Sequence, residues 1–232
     1  MSILLTWLAH TRSRVIGAVL DQDCVLCGAA SGAAQLCPPC HAELPVLAPG
    51  CPVCAMPCRR GETCGSCLAR PPWFDGTAAV WRYAYPVDRL VQALKFHGRL
   101  ALAPYFAHAL AGRVGHADLV IPMPLHASRL VERGFNQAVE IASCLARETG
   151  NRILPRGAVR IRPTQPQANL PLEERSKNVR GAFECGLDLA GTSIALVDDV
   201  MTTGATLNEL ARVLKRAGAA RVENWVVART LD

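Results

Sequence analysis

The chain has 232 residues, half of them hydrophobic, and a formal net charge of +6. That composition excludes wholesale disorder and leaves room for one sizeable α/β domain with a smaller unit beside it. The mild basicity suits a phosphate or nucleic-acid ligand without requiring one.

Residues 1–20 read as an amphipathic helix with Leu4, Leu5, Leu8, Val15, Ile16 and Val19 on its apolar face, a pattern suited to core packing. The run ILLTWLA stops at His10, Arg12 and Arg14, far short of the roughly 20 apolar residues that span a bilayer. The order of charge, apolar stretch and small-residue cleavage site that marks a secretory signal is absent. The expectation is a cytoplasmic chain without direct membrane insertion.

Nine of the eleven cysteines fall between Cys24 and Cys67, and eight of these form four CxxC pairs: Cys24 with Cys27, Cys37 with Cys40, Cys51 with Cys54, and Cys64 with Cys67. A CxxC pair places two thiolates on one turn, and two such pairs complete a tetrahedral zinc site. Disulfides would go with secretion, and a thioredoxin-like motif needs one pair heading a helix, so the spacing predicts two structural Zn²⁺ ions. The pairs match either sequential quartets or interleaved ones. Cys58 and His41 are spare ligands, and Cys144 and Cys185 read as ordinary thiols. With few large apolar residues, the module of residues 21–72 depends on metal to fold.

Past the linker RPPWFDG, residues 73–232 alternate strand and helix. AAVWRYAYP predicts a strand and VDRLVQALKF a helix with Leu90, Val91 and Leu94 on one face; ALAPYFAHALAGRV continues helical. DLVIPMPLH predicts a strand broken at Pro122 and Pro124. FNQAVEIASCLARETG is a helix stopped by Gly150. Residues 152–180 are basic and proline-spotted, a strand or two with a long loop. Ser193–Val197 predicts a buried strand, residues 206–217 a helix, and RVENWVVA a closing strand. This order argues for a parallel sheet with helices on its faces.

The strand at Ser193 runs directly into Asp198 and Asp199 and then Thr202, Thr203, Gly204, Ala205 and Thr206. Ligands of open parallel sheets sit at the carboxyl ends of strands. Carboxylates there accept hydrogen bonds from vicinal sugar hydroxyls, and threonines with a glycine at a helix N-terminus cradle a phosphate. In IPMPLHASRLVERGFNQA, Arg129 and Arg133 are candidates for a diphosphate, and Asn136 and Gln137 for caps or ligand contacts.

DDVMTTGAT resembles, at every position, the phosphoribosyl diphosphate (PRPP) loop of type I phosphoribosyltransferases. The resemblance implies that Asp198 and Asp199 face the ribose hydroxyls while 202–206 hold the 5-phosphate, with Mg²⁺ neutralising the diphosphate. The four CxxC pairs, CLARPPWFD, LVQALKFHG, IPMPLH, RGFNQ and QANLPLEERSKNVRGAF together resemble the ComF competence proteins, which join a double zinc ribbon to a phosphoribosyltransferase-like domain. One departure is Ala55 after Cys54, where zinc knuckles favour glycine, with Cys58 as a substitute ligand.

The family resemblance implies a role in natural transformation: handling internalised single-stranded DNA beside a membrane-associated DNA translocase, peripheral to the inner face of the membrane. Arg152, Arg156, Arg160, Arg162, Arg175, Lys177 and Arg180 form a basic tract that could track DNA phosphates, or serve as the loop whose Arg175 and Asn178 close over PRPP. The alternative is an active phosphoribosyltransferase acting on a nucleobase or amine. No residue nominates the acceptor, and Ser2 after Met1 does not supply the amino-terminal cysteine of glutamine-dependent relatives.

Overall fold

The computed structural model describes residues 22–59, 61–164 and 177–231, so the helix expected over 1–20 and Arg175 lie outside the described residues. The cysteine-rich part carries a small antiparallel pair, β1 (Gln22–Asp23) with β2 (Ala30–Gly32), and two single-turn helices, α1 (Pro38–Ala42) and α2 (Gly65–Ala69). The larger part contains β3 (Gly76–Arg82), α3 (Val87–His97), α4 (Leu102–Ala111), β4 (Leu119–Pro122), α5 (Ala127–Arg133) and α6 (Gln137–Thr149). A short pair, β5 (Val159–Arg160) with β6 (Phe183–Glu184), is followed by β7 (Ser193–Met201), α7 (Ala205–Arg216) and β8 (Arg221–Arg229).

Four strands form one sheet in the order β3-β8-β7-β4, parallel throughout. Alternation along β7 explains how both faces are covered. Ala195 and Val197 join the core under α3, α4 and α6, while Ile194 and Leu196 join the core under α7. The helices present the stripes expected of them. Val87, Leu90, Val91 and Leu94 of α3 have no solvent exposure, and burying each contributes about 1.5–3 kcal/mol before entropy. Helix α6 begins at Asn136, whose side chain accepts the Ala138 N–H, and ends at Gly150 in the left-handed region.

Both sheet edges are covered. On the β3 side, residues 45–47 pair antiparallel with the strand through Leu47 N to Val80 O and Arg82 N to Pro45 O. On the β4 side, Val120 bonds Arg152 and Leu154 of the segment after α6. The linker after the last cysteine docks as its composition suggests: Phe74 is buried, and Asp75 exchanges backbone and carboxylate hydrogen bonds with Val222.

The strand predicted as Ser193–Val197 extends to Met201, so the two acids lie inside it. Strand β8 continues beside it, pairing Asp198 with Val226 and Met201 with Arg229. Strand β4 stops at Pro122, opposite Val197. Past that point one edge of β7 is open, and the acids stand at the opening.

Candidate functional site

A cleft of about 450 Å³ lies where β4 leaves the sheet, lined by Asp198, Asp199, Thr202, Gly204, Ala205 and Thr206 from the β7–α7 turn and by Arg129, Arg133 and Gln137 from α5 and α6. Adjacent strand residues point to opposite sides. Asp199, 2% exposed, meets Lys95 of α3 with Nζ and Oδ2 2.6 Å apart, and Asp198 remains half-buried. Burial, followed by the Asp199 charge, pushes Asp198 up to about 8. Burial works against the Lys95 ammonium too, but the Asp199 and Asp198 carboxylates outweigh it and hold the lysine above its ordinary value.

The opposite wall is cationic. Arg133 stacks over Phe96 at 5.4 Å and donates to Gln137 Oε1 at 2.5 Å. Arg160, on β5, lies over Phe183 at 5.5 Å and bonds Thr164. Burial and then the neighbouring Arg129 lower its proton affinity. Four cations, Lys95, Arg129, Arg133 and Arg160, face two carboxylates and leave the cleft net positive. Arg160 Nε, in this cleft, is buried without a hydrogen-bond partner among the described residues, whereas Asp199 Oδ2 is held by the Lys95 ammonium.

The turn between β7 and α7 is shaped by Gly204. Its φ of +79° is left-handed, and a Cβ there would stand 2.6 Å from Met201 Cε. Thr203 is exposed outside the cleft and accepts the Ala205 N–H. Asn136 uses both ends of its amide on the fold, donating to Met123 O and capping α6, so it is a cap and not a cleft contact. Asn178 does not line the cleft either.

Lys95, Phe96 and Arg160 were not singled out as ligand residues by the sequence. Of the basic tract, Arg152, Arg156, Arg162, Lys177 and Arg180 are exposed, whereas Arg160 turns into the cleft. For Lys95 the available signal was a cation directly after the buried Leu94, on the flank of an apolar stripe.

The cysteines fall into sequential quartets, Cys24, Cys27, Cys37 and Cys40, then Cys51, Cys54, Cys64 and Cys67, with the sulfurs of each within 4.8 Å of one another. Interleaving is thereby excluded. Four thiolates 2.3 Å from a central ion stand about 3.8 Å apart, and the Cys27–Cys37 and Cys54–Cys64 sulfurs are each 3.6 Å apart. The two clusters fit two structural zinc sites. Burial opposes ionisation at Cys24, but backbone N–H groups of Cys27, Cys37 and Leu26 bring the thiol down to about 6. Cys58 lies outside both quartets, donating to Glu62 O at 3.1 Å, and His41 instead bonds Tyr105. Ala55 adopts φ +59°, the conformation that Gly28 supplies after Cys27.

The double zinc ribbon family model matches residues 15–68, and the phosphoribosyl transferase domain model matches residues 136–231. The DNA utilization protein YhgH of Escherichia coli O6:H1 is 36% identical over 191 residues, covering 78% of this chain and 84% of that protein. This chain belongs to the ComF family. Other family members are competence protein F of Haemophilus influenzae, 32% identical over 72% of this chain and 79% of that protein, and competence protein ComFC of Bacillus subtilis, 27% identical over 84% of this chain and 85% of its own length. The ComF architecture accounts for both halves of the chain, a cysteine-rich ribbon and a phosphoribosyltransferase-like parallel sheet. No helix among the described residues is long and apolar enough to cross a membrane.

Proposed function

We propose that this chain acts in competence or DNA utilisation, handling internalised single-stranded DNA in the cytoplasm, and that its cleft binds PRPP. The observation carrying the cleft reading is a carboxylate facing an unsatisfied buried cation within it. The half-buried Asp198 carboxylate is an acceptor suited to a sugar hydroxyl, and Arg160 Nε is a buried donor suited to a phosphate. PRPP carries hydroxyls and phosphates on one small framework. The 5-phosphate sits at the 202–206 turn, at the N-terminus of α7, and the diphosphate meets Arg129, Arg133 and Arg160.

Among the described residues, the only groupings of three or more metal-ligating side chains are the two cysteine quartets. Mg²⁺ carried on the ligand's diphosphate would supply charge neutralisation there. Asp198 and Asp199 orient the pentose, and Lys95 holds Asp199 in place at 2.6 Å.

The relatives' names, DNA utilization protein and competence protein, support the DNA role. The exposed Arg152, Arg156, Arg162, Lys177 and Arg180 offer phosphate contacts outside the cleft. A docked membrane translocase would place the chain peripherally at the membrane. The open cleft also accommodates transfer of ribose 5-phosphate to a base or amine.

Calorimetric titration of zinc-loaded protein with PRPP and Mg²⁺, with and without a short single strand, tests the proposal. Saturable binding that Asp199→Asn abolishes supports the cleft reading, and no heat with PRPP overturns it. Oligonucleotide binding without salt dependence overturns the DNA role. Diphosphate release across an acceptor panel identifies the transferase.

A further inference from the structure

The second cysteine quartet and the loop end of β7 meet at one side chain. Arg229, the last residue of β8, is 5% exposed. Its Nε donates to the Cys54 carbonyl at 2.9 Å, and its Nη1 donates to the carbonyls of Met201 at 3.1 Å, Thr230 at 2.6 Å and Thr202. A planar guanidinium thus fixes a zinc-knuckle residue and the start of the ligand turn relative to each other. Two neighbours reinforce the junction. Thr77 donates its hydroxyl to Val53 O at 2.7 Å, and the Phe74 ring lies 3.7 Å from the Cβ position of Gly204.

Every hydrogen-bond partner of the Arg229 guanidinium is a carbonyl, and none of the ion pairs among the described residues includes it. A buried cation needs a counter-charge. Four thiolates around Zn²⁺ would carry a net charge of about −2 by formal valence, and the guanidinium reaches that quartet directly through the Cys54 carbonyl. The first quartet sits elsewhere. Its Cys24 and Cys37 pack into the core of Trp81 and Phe106, on the α4 side of the sheet.

We infer that Arg229 is a positioning residue through which the second cysteine site, and not the first, sets the shape of the 201–206 turn. By linkage, occupancy of the turn by a phosphorylated ligand tightens zinc at the second site. This last clause rests on the PRPP reading; the mechanical tie does not.

The test uses the full zinc-loaded chain, with amide hydrogen exchange followed on peptides covering Met201–Leu207. Arg229→Lys keeps the charge but loses the fork, and Cys67→Ser opens the second site. Each should speed exchange in the turn about tenfold, while Cys40→Ser in the first site changes it by less than about twofold. Should Cys67→Ser fail to fold, Arg229→Lys alone decides. Unchanged exchange in Arg229→Lys, or an equal response to Cys40→Ser, overturns the inference. In a second arm, PRPP with Mg²⁺ should slow zinc transfer from the second site to a chromophoric chelator at least about fivefold. If PRPP does not bind while exchange still responds to Arg229→Lys, the ligand reading fails and the tie stands. If PRPP binds and exchange does not respond, the tie fails and the ligand reading stands.

Discussion

Lys95 and Asp199 hold each other at 2.6 Å across the floor of the cleft, the carboxylate almost fully buried and the ammonium reaching it from another element. Removing one partner leaves a charge without its counter-ion. Lys95→Met should therefore cost about 3 kcal/mol of unfolding free energy, and adding Asp199→Asn should recover most of it. Chemical denaturation of the two single variants and the double variant measures the coupling.

Asp198 gives stability a pH slope. Its proton affinity is raised from an ordinary 3.8 to about 8, so between those values the folded chain keeps a proton that the unfolded chain has released. Stability from this group falls as pH rises through that window and levels above it. Asp198→Asn should flatten the slope and raise Tm at pH 8 by at least a few degrees relative to the parent. Melting curves from pH 5 to 9 decide this.

Zinc analysis should return about two ions per chain, and Cys58→Ser should keep both because its sulfur lies outside the quartets. Cys40→Ser should lose one ion. Chelation should lower the melting temperature, since the module folds around metal.

Arg160→Ala should weaken PRPP binding about tenfold through loss of a buried charge-assisted donor. Arg162→Ala, whose side chain bonds Arg180 O at the surface, should leave PRPP affinity unchanged and reduce the salt dependence of oligonucleotide binding. The reverse pattern would place DNA in the cleft.

Gly204→Ala should cost about 1–3 kcal/mol, because the residue must hold a left-handed φ against Met201 Cε. Thermal melts measure that cost, and ligand titration of the same variant reports on the turn.

Local signals carried much of the chain. The helix faces of α3, α6 and α7, the cysteine pairs and the acid–threonine–glycine run all sit within a few residues of their partners, where periodicity and spacing act. What escaped was long-range. Arg229 meets Cys54 across 175 positions, and no local pattern announces it. Arg160 sat in a basic run where neighbouring charges disguise the one that turns inward. Strand β7 runs past the point where its acids suggest an end, because the neighbouring β8 continues its ladder to Met201. The quartet pairing was open because CxxC spacing is the same in either arrangement.

The segment 45–47 lies along the outer rim of β3. A fragment beginning at Trp73 would bare that rim as a template for strand addition by another copy. The cysteine-rich module is thus an intramolecular cover against self-association, and separating the two halves of this chain should yield fibrils or precipitate before it yields a working domain.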